Sequence, residues 1–256
     1  MSLLSPFQFL SFPHRDLFPV SPPPQNGWVS FGIERVPAGE RTWQDGPIAV
    51  YQTRPTVSSN GRFVVVGEGD LIDKNHGQYK PDFIAEFFAS CGDIPGAIAQ
   101  LNGIFGLVIW DRENRELWLA RDAVGGKTLY YTAVGGTLRV APRLRTLAAF
   151  HSRELDSVAL RDYLSCAFVP GEQTLWRGVR ELRPGTLHRW SEGSISPQIK
   201  VYWQPEEKIG DRDRPLEFHG EKLRSLLGAI VEESLPQGEP VGAYLSGGLD
   251  SRRITF

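Results

Sequence analysis

Seven consecutive residues, Leu245-Ser246-Gly247-Gly248-Leu249-Asp250-Ser251, combine the side chains and backbone freedom that an anion site needs. Paired glycines let the main chain approach a charged group closely, and successive N–H groups ahead of a helix form a concave donor surface. Ser246 and Ser251 add hydroxyl donors, whereas Asp250 would repel a bare phosphate unless a divalent cation lay between them. The pattern therefore points to a nucleotide pyrophosphate with Mg²⁺. Leu245, Ser246, Gly247, Gly248, Asp250 and Ser251 are the expected contacts, and Asp250 is the metal ligand. A Walker A loop is excluded because the Gly-Lys-Ser/Thr element is missing. The plainer alternative for the same residues is a glycine-rich turn between a strand and a helix.

Such a loop must be held by regular structure. The apolar run 241–245 is expected to form a short strand before it, and a helix should open after it. Upstream, 215–235 reads as an amphipathic helix, with Leu223, Leu226, Leu227, Ile230 and Val231 in one stripe. The charged, glycine-containing stretch 205–215 is the expected linker, and 158–167 reads as another helix. Farther upstream the pattern changes to short apolar runs bounded by Gly, Pro and Asn. Strands are predicted at 28–33, 48–52, 62–66, 104–110, 116–120, 128–132 and 137–141. The nearly continuous apolar run at 104–110 suits a strand covered on both faces. Residues 82–90 place Phe83, Phe87 and Phe88 at helical spacing with Ile84 beside them. The first 25 or so residues, ending in Pro22-Pro23-Pro24, read as irregular. Packed sheets with helices outside accommodate this order, giving an α+β class.

Composition excludes several functions. With 256 residues, 41% hydrophobic and 23% charged, the chain is an ordinary globular sequence. A net charge of −2 gives no global attraction to nucleic acid or anionic lipid, and no apolar run approaches the length needed to span a bilayer. The N-terminal residues lack the basic segment of a secretory signal. Only two cysteines occur, Cys91 and Cys166, without metal-ligand spacing, so a reducing, cytoplasmic setting is expected. Both lie in the interior of the chain and read as core or helix residues, and no residue is assigned a catalytic role.

The loop Ser246-Gly247-Gly248-Leu249-Asp250-Ser251 resembles the pyrophosphate loop of ATP pyrophosphatases, and its approach Pro240-Val241-Gly242-Ala243-Tyr244-Leu245 resembles the asparagine synthetase branch. Upstream, Leu101-Asn102-Gly103-Ile104-Phe105-Gly106, Trp110-Asp111, Leu119-Ala120-Arg121-Asp122 and Gly125-Gly126-Lys127-Thr128-Leu129-Tyr130-Tyr131 resemble the glutaminase half of glutamine-hydrolysing asparagine synthetase. Tyr163-Leu164, Val169-Pro170-Gly171, the run 174–185 and Tyr202-Trp203 follow the same family's region between domains. The resemblance runs from about residue 60 to 256. It implies an α-β-β-α sandwich of the N-terminal nucleophile type over 1–204, a glutamine amidotransferase type 2-like domain. It implies the start of an α/β ATP-binding domain over 205–256, truncated relative to the family. The implied chemistry adenylates a carboxylate of a small molecule or peptide with ATP and Mg²⁺. Ammonia from glutamine then forms the amide, leaving AMP and pyrophosphate. A homodimer is compatible with the family.

Three positions depart from that pattern. The family's nucleophile is an N-terminal cysteine exposed by removal of Met1, but position 2 here is Ser2, a far weaker nucleophile at neutral pH. The segment supplying the oxyanion-hole asparagine aligns with Glu68-Gly69-Asp70-Leu71-Ile72-Asp73, expected to follow the strand at 62–66. Glu68 would bring an acceptor and a negative charge where an oxyanion forms. The family's aspartate that holds the substrate amine aligns with Lys80, which would repel an ammonium group. A degenerate glutaminase site is the expectation, with no catalytic residue. Relatives that use a substrate's own amine, of the β-lactam synthetase or lasso-peptide cyclase type, then become an alternative. A non-catalytic scaffold left by gene truncation is the alternative of another class.

Overall fold

The computed structural model describes residues 28–31, 41–51, 55–73, 77–78, 83–148, 154–194, 196–207, 214–235, 240–249 and 251. Expectations for the N-terminal 25 residues, for Ser2 and Lys80, for the middle of the linker and for Asp250 fall outside these residues.

Two antiparallel sheets stack face to face. Strands β1 (Trp28–Phe31), β2 (Arg41–Asp45), β3 (Ile48–Tyr51), β9 (Tyr130–Val134), β10 (Thr137–Ala141) and β11 (Val179–Glu181) form one sheet, in the order β11-β9-β10-β1-β3-β2. The other contains β4 (Thr56–Val57), β5 (Phe63–Asp73), β6 (Gly77–Gln78), β7 (Asn102–Asp111), β8 (Glu116–Arg121), β12 (Thr186–Ser191) and β13 (Gln198–Val201). Its order is β13-β12-β8-β7-β5-β4, with β6 paired to β5.

Strand alternation sorts the apolar residues into layers. Val64, Val108, Trp110, Leu117, Leu119 and Trp190 of the second sheet meet Val29, Ile48, Val50, Tyr131, Leu138 and Val140 of the first, forming the inter-sheet core. The opposite face of the second sheet, with Phe63, Val65, Leu107 and Ile109, is covered by α1 (Ile84–Cys91) and α2 (Ile94–Gln100). The outer face of the first sheet packs Tyr51, Ala141 and Val179 against Leu147 of α3 (Leu144–Ala148). The result is the helix–sheet–sheet–helix layering that the resemblance implies. β7 is buried from Phe105 to Asp111 because it feeds both cores, as its continuous apolar run predicts.

The helices carry local signals. Asp93 caps α2 by accepting from Gly96 N at 2.7 Å. Asp156 caps α4 (Ser157–Cys166) by accepting from Val158 N and Ala159 N at 2.9 and 3.0 Å. Of the aromatic set at 82–90, Phe88 is buried and Phe87 packs beside it, but Phe83 stands at the helix N-cap, exposed. The long helix α5 (Leu216–Ser234) forms where the apolar stripe predicts, after Pro215, yet none of its residues is buried. Among the described residues no helix is long and apolar enough to cross a membrane.

Two expectations are corrected here. The run 241–245 forms no strand among the described residues; it is irregular and exposed, with Tyr244 at 98%. A strand needs a neighbour to take its N–H and C=O groups, and none pairs with it. Residues 68–73 do not follow a strand but continue β5, which pairs with β7 without a break from Phe63↔Asp111 to Ile72↔Asn102.

Candidate functional site

Two places correspond to the chemistry read from the sequence: the end of the second sheet, where glutamine would be handled, and the loop at 245–251.

At the sheet end, β5 and β7 approach so closely that side chains are excluded. A Cβ added at Gly69 (φ +155°) would meet Ile104 O at 2.2 Å, and one at Gly103 (φ +102°) would meet Asp70 O at 2.0 Å. Glu68, Gly106 and Arg121 are register partners in one row across β5, β7 and β8. Glu68 is half-buried.

The loop covering this row is held by the adjacent pair Arg121 and Asp122. The Arg121 guanidinium donates to Lys127 O (2.6 Å), Leu182 O (2.6 Å) and Gly125 O (2.9 Å), and pairs with Glu181 at 2.8 Å. The fully buried Asp122 carboxylate accepts from Phe105 N (3.1 Å), Val124 N (3.1 Å), Gly126 N (2.9 Å) and Lys127 N (3.2 Å). Charge-assisted bonds to backbone amides are the strong kind, so residues 122–127 are fixed from inside. Gly126 is required here because a Cβ would lie 2.5 Å from Ile104 Cγ2. The sequence places Asp122 only within a motif. An aspartate two residues before an amide it bonds, with glycines following, is the local signal of an Asx turn.

The segment after β13 reaches the base of the same loop. Tyr202 Oη donates to Arg121 O at 2.6 Å, and burial, with the Asp122 charge adding to it, pushes the Tyr202 phenol upward. Neither cysteine approaches a catalytic arrangement: Cys91 ends α1 half-buried against the core and Cys166 ends α4 exposed. Among the described residues no group of three or more His, Cys, Asp or Glu could hold a metal.

In the second place, Gly247 takes φ +83°, a left-handed turn suited to glycine, and helical backbone resumes at Leu249 and Ser251. Ser246 Oγ lies 3.1 Å from Ser251 Oγ and accepts from Gly248 N at 3.4 Å, while Ser251 Oγ donates to Gly248 O at 3.2 Å. Leu245, Ser246, Gly247, Gly248 and Ser251 thus form one compact turn with two hydroxyls together. A Cβ at Gly247 would meet no atom within 4 Å. This donor set fits a phosphate, but Leu245 to Leu249 are all exposed.

Comparison with known proteins reaches the same two places. A family model described as a glutamine amidotransferase domain matches residues 77–203, and one described as asparagine synthase matches 222–256. The chain belongs to the glutamine-hydrolysing asparagine synthetase family. Asparagine synthetase [glutamine-hydrolyzing] 1 of Bacillus subtilis is 32% identical over 163 residues, 62% of this chain and 25% of its own. Relatives in Mycobacterium bovis and Mycobacterium tuberculosis are 33% identical over 218 residues, 75% of this chain and 32% of theirs. The chain spans about a third of the length of those relatives. Amidase chyE of Penicillium rubens is 32% identical over 204 residues, 74% of this chain and 30% of its own. Among solved structures, an allosteric regulatory enzyme of purine biosynthesis overlaps 71% of this chain and 44% of its own at a TM-score of 0.42 and 13% identity. The amidotransferase match begins at residue 77, after β5, so Glu68 lies ahead of it.

Proposed function

We propose that this chain supplies two parts of an ATP-dependent, amide-forming ligase of the asparagine synthetase kind, and that its amidotransferase sandwich does not hydrolyse glutamine. The two parts are the sandwich over 1–204 and the start of the ATP-binding unit over 205–256. The observation that carries this reading is the place of Glu68. It stands on β5 beside Gly69, in the row with Gly106 and Arg121, at the position aligned with the family's oxyanion-hole asparagine. A carboxylate there opposes the charge that develops on an attacked amide, and the Arg121 donors that could offset it are taken by Lys127 O, Leu182 O, Gly125 O and Glu181. Ser2 in place of cysteine and Lys80 in place of aspartate weigh the same way.

ATP would supply adenylation of a carboxylate. Ser246, Gly247, Gly248 and Ser251 would hold its pyrophosphate, with Leu245 leading into the turn and Asp250 holding Mg²⁺. With the glutaminase lost, an amine of the substrate itself, as in β-lactam synthetase or lasso-peptide cyclase types, is the alternative to ammonia as nucleophile.

The test is ammonia release from glutamine by the chain with Met1 removal confirmed by mass. No release above background is expected, and Ser2→Cys alone should not restore it because Glu68 and Lys80 remain. Release that disappears on Ser2→Ala would overturn the reading. For the nucleotide half, a longer version that also carries the remaining strands of the ATP-binding unit should give AMP and pyrophosphate when the right carboxylate is present; ADP and phosphate would overturn that assignment. A second reading, a non-catalytic interaction domain, is favoured by α5, an amphipathic helix of 19 residues that buries none of them.

A further inference from the structure

We propose that His188 is an acid-sensitive latch between the two sheets, a buried neutral imidazole whose protonation opens the sandwich along the edge formed by β11 and β13. His188 sits on β12 at 0% exposure, and neither Nδ1 nor Nε2 has a hydrogen-bond partner. Its ring lies 5.6 Å from Tyr131, edge-on, and 5.8 Å from Trp190, and those two rings are 5.6 Å apart. Three rings thus close the inter-sheet core at this point, two from β12 and one from β9 of the opposite sheet. A buried aromatic triangle contributes through area and edge-to-face contact. It has no acceptor for the two N–H donors of an imidazolium.

The surroundings offer a proton no compensation. On β8 the register partner of His188 is Leu119, and two residues on, the same face carries the cation Arg121. On β13 the partner is Ile199, with Lys200 beside it on the other face. From the opposite sheet, Tyr131 faces the ring, and its phenol is pushed up to about 12 by burial, so it stays neutral. Tyr131 is in turn paired in register with Arg180 of β11. The carboxylates on and beside these strands are each engaged by an arginine: Glu172 by Arg180, Glu181 by Arg121, and Glu116 by Arg189. Burial accordingly lowers His188 from 6.5 to about 4.

The sign follows from linkage. The unfolded or opened state takes up the proton first, so the stabilisation is complete above about pH 6.5 and is lost as pH falls towards about 4. Between pH 8 and pH 5 the opening equilibrium should rise about 30-fold. The place of opening follows from topology. β12 is next to the edge strand β13 and β9 is next to the edge strand β11, so the His188–Tyr131 contact joins the two sheets one strand in from the same side. β7 and β5 lie beyond β8, towards the opposite edge of the second sheet.

Hydrogen exchange of the whole chain, read by mass spectrometry at pH 8 and pH 5 and corrected for intrinsic rates, tests this. Amides of β9, β11, β12 and β13 should lose about 30-fold in protection at pH 5 while β5 and β7 keep theirs. His188→Phe, which keeps a ring and cannot titrate, should abolish the acid-dependent loss. The same loss in His188→Phe would overturn the proposal. Should that variant fail to fold, the imidazole resonance of the unaltered chain decides. A midpoint near 4 supports the latch, and one near 6.5 overturns it.

Discussion

Helices α1 and α5 are both amphipathic in sequence, yet they end in opposite states. In α1, Ile84, Ala85 and Phe88 are buried against β5 and its neighbours. In α5, Leu223, Leu226, Leu227 and Ile230 are all more than 45% exposed. The stripe states a requirement for a partner surface; only α1 meets one. The same contrast separates the loops that follow glycines. Residues 122–127 are fixed by a buried carboxylate and a buried guanidinium, while 245–249 make contacts only within the turn itself among those described. Burial separates the two loops: Asp122 is fully buried, whereas 245–249 are exposed.

The largest effect should come from the core that both sheets share. Trp110→Ala removes a fully buried ring from the inter-sheet layer and should cost about 3–5 kcal/mol in urea unfolding. A loss below 1 kcal/mol would mean the sheets are not packed as described. Next, Asp122→Ala strands amides of Phe105, Val124, Gly126 and Lys127 and should cost about 3 kcal/mol. It should also expose the 122–127 loop to protease before the rest of the sandwich.

A pH effect of intermediate size is expected at Asp111. Burial alone would raise its carboxyl, but the Arg62 guanidinium, bonded at 2.9 Å, and Asn114 hold it below the usual range. With the folded value depressed, its stabilisation is present above the unfolded carboxylate range and is lost as pH falls through the folded one. Asp111→Asn should therefore flatten the acid side of the stability curve below about pH 4. The smallest effect sharpens the contrast between helices. Leu226→Ala on α5 should change unfolding free energy by less than about 0.5 kcal/mol, whereas a buried leucine such as Leu119 should cost about 2–5. A large loss at Leu226 would show that α5 is covered in solution. Titration with ATP·Mg²⁺ gives the matching readout, with negligible binding expected while the loop stands unpacked.

Much of the sandwich was legible in residue order. Alternating or continuous apolar runs bounded by glycine locate β1, β3, β7, β8, β9 and β10 to within a few residues, because a two-residue period leaves little freedom about which side faces inward. The doubly covered β7 announces itself by having no polar face. Strands β11 to β13 escape such a reading. Thr186-Leu187-His188-Arg189-Trp190-Ser191 mixes charge with apolar groups, and its inward positions include a histidine. The glycine turn at Gly247 was equally visible, since it rests on backbone freedom, a local property.

What the sequence by itself determined is therefore local: the strand and helix periodicities, the glycine turn, and the residue types at positions 2, 68 and 80, a serine, a glutamate and a lysine. What only the tertiary structure decided depends on partners distant in the chain. β5 runs on through Glu68 because β7 offers it ten consecutive register partners, from Asp111 back to Asn102. Asp122 is a hub because Phe105, 17 residues away, brings its amide to the carboxylate. Residues 241–245 stay irregular because a strand's hydrogen bonds belong to its neighbours, and no apolar run can supply those from within itself.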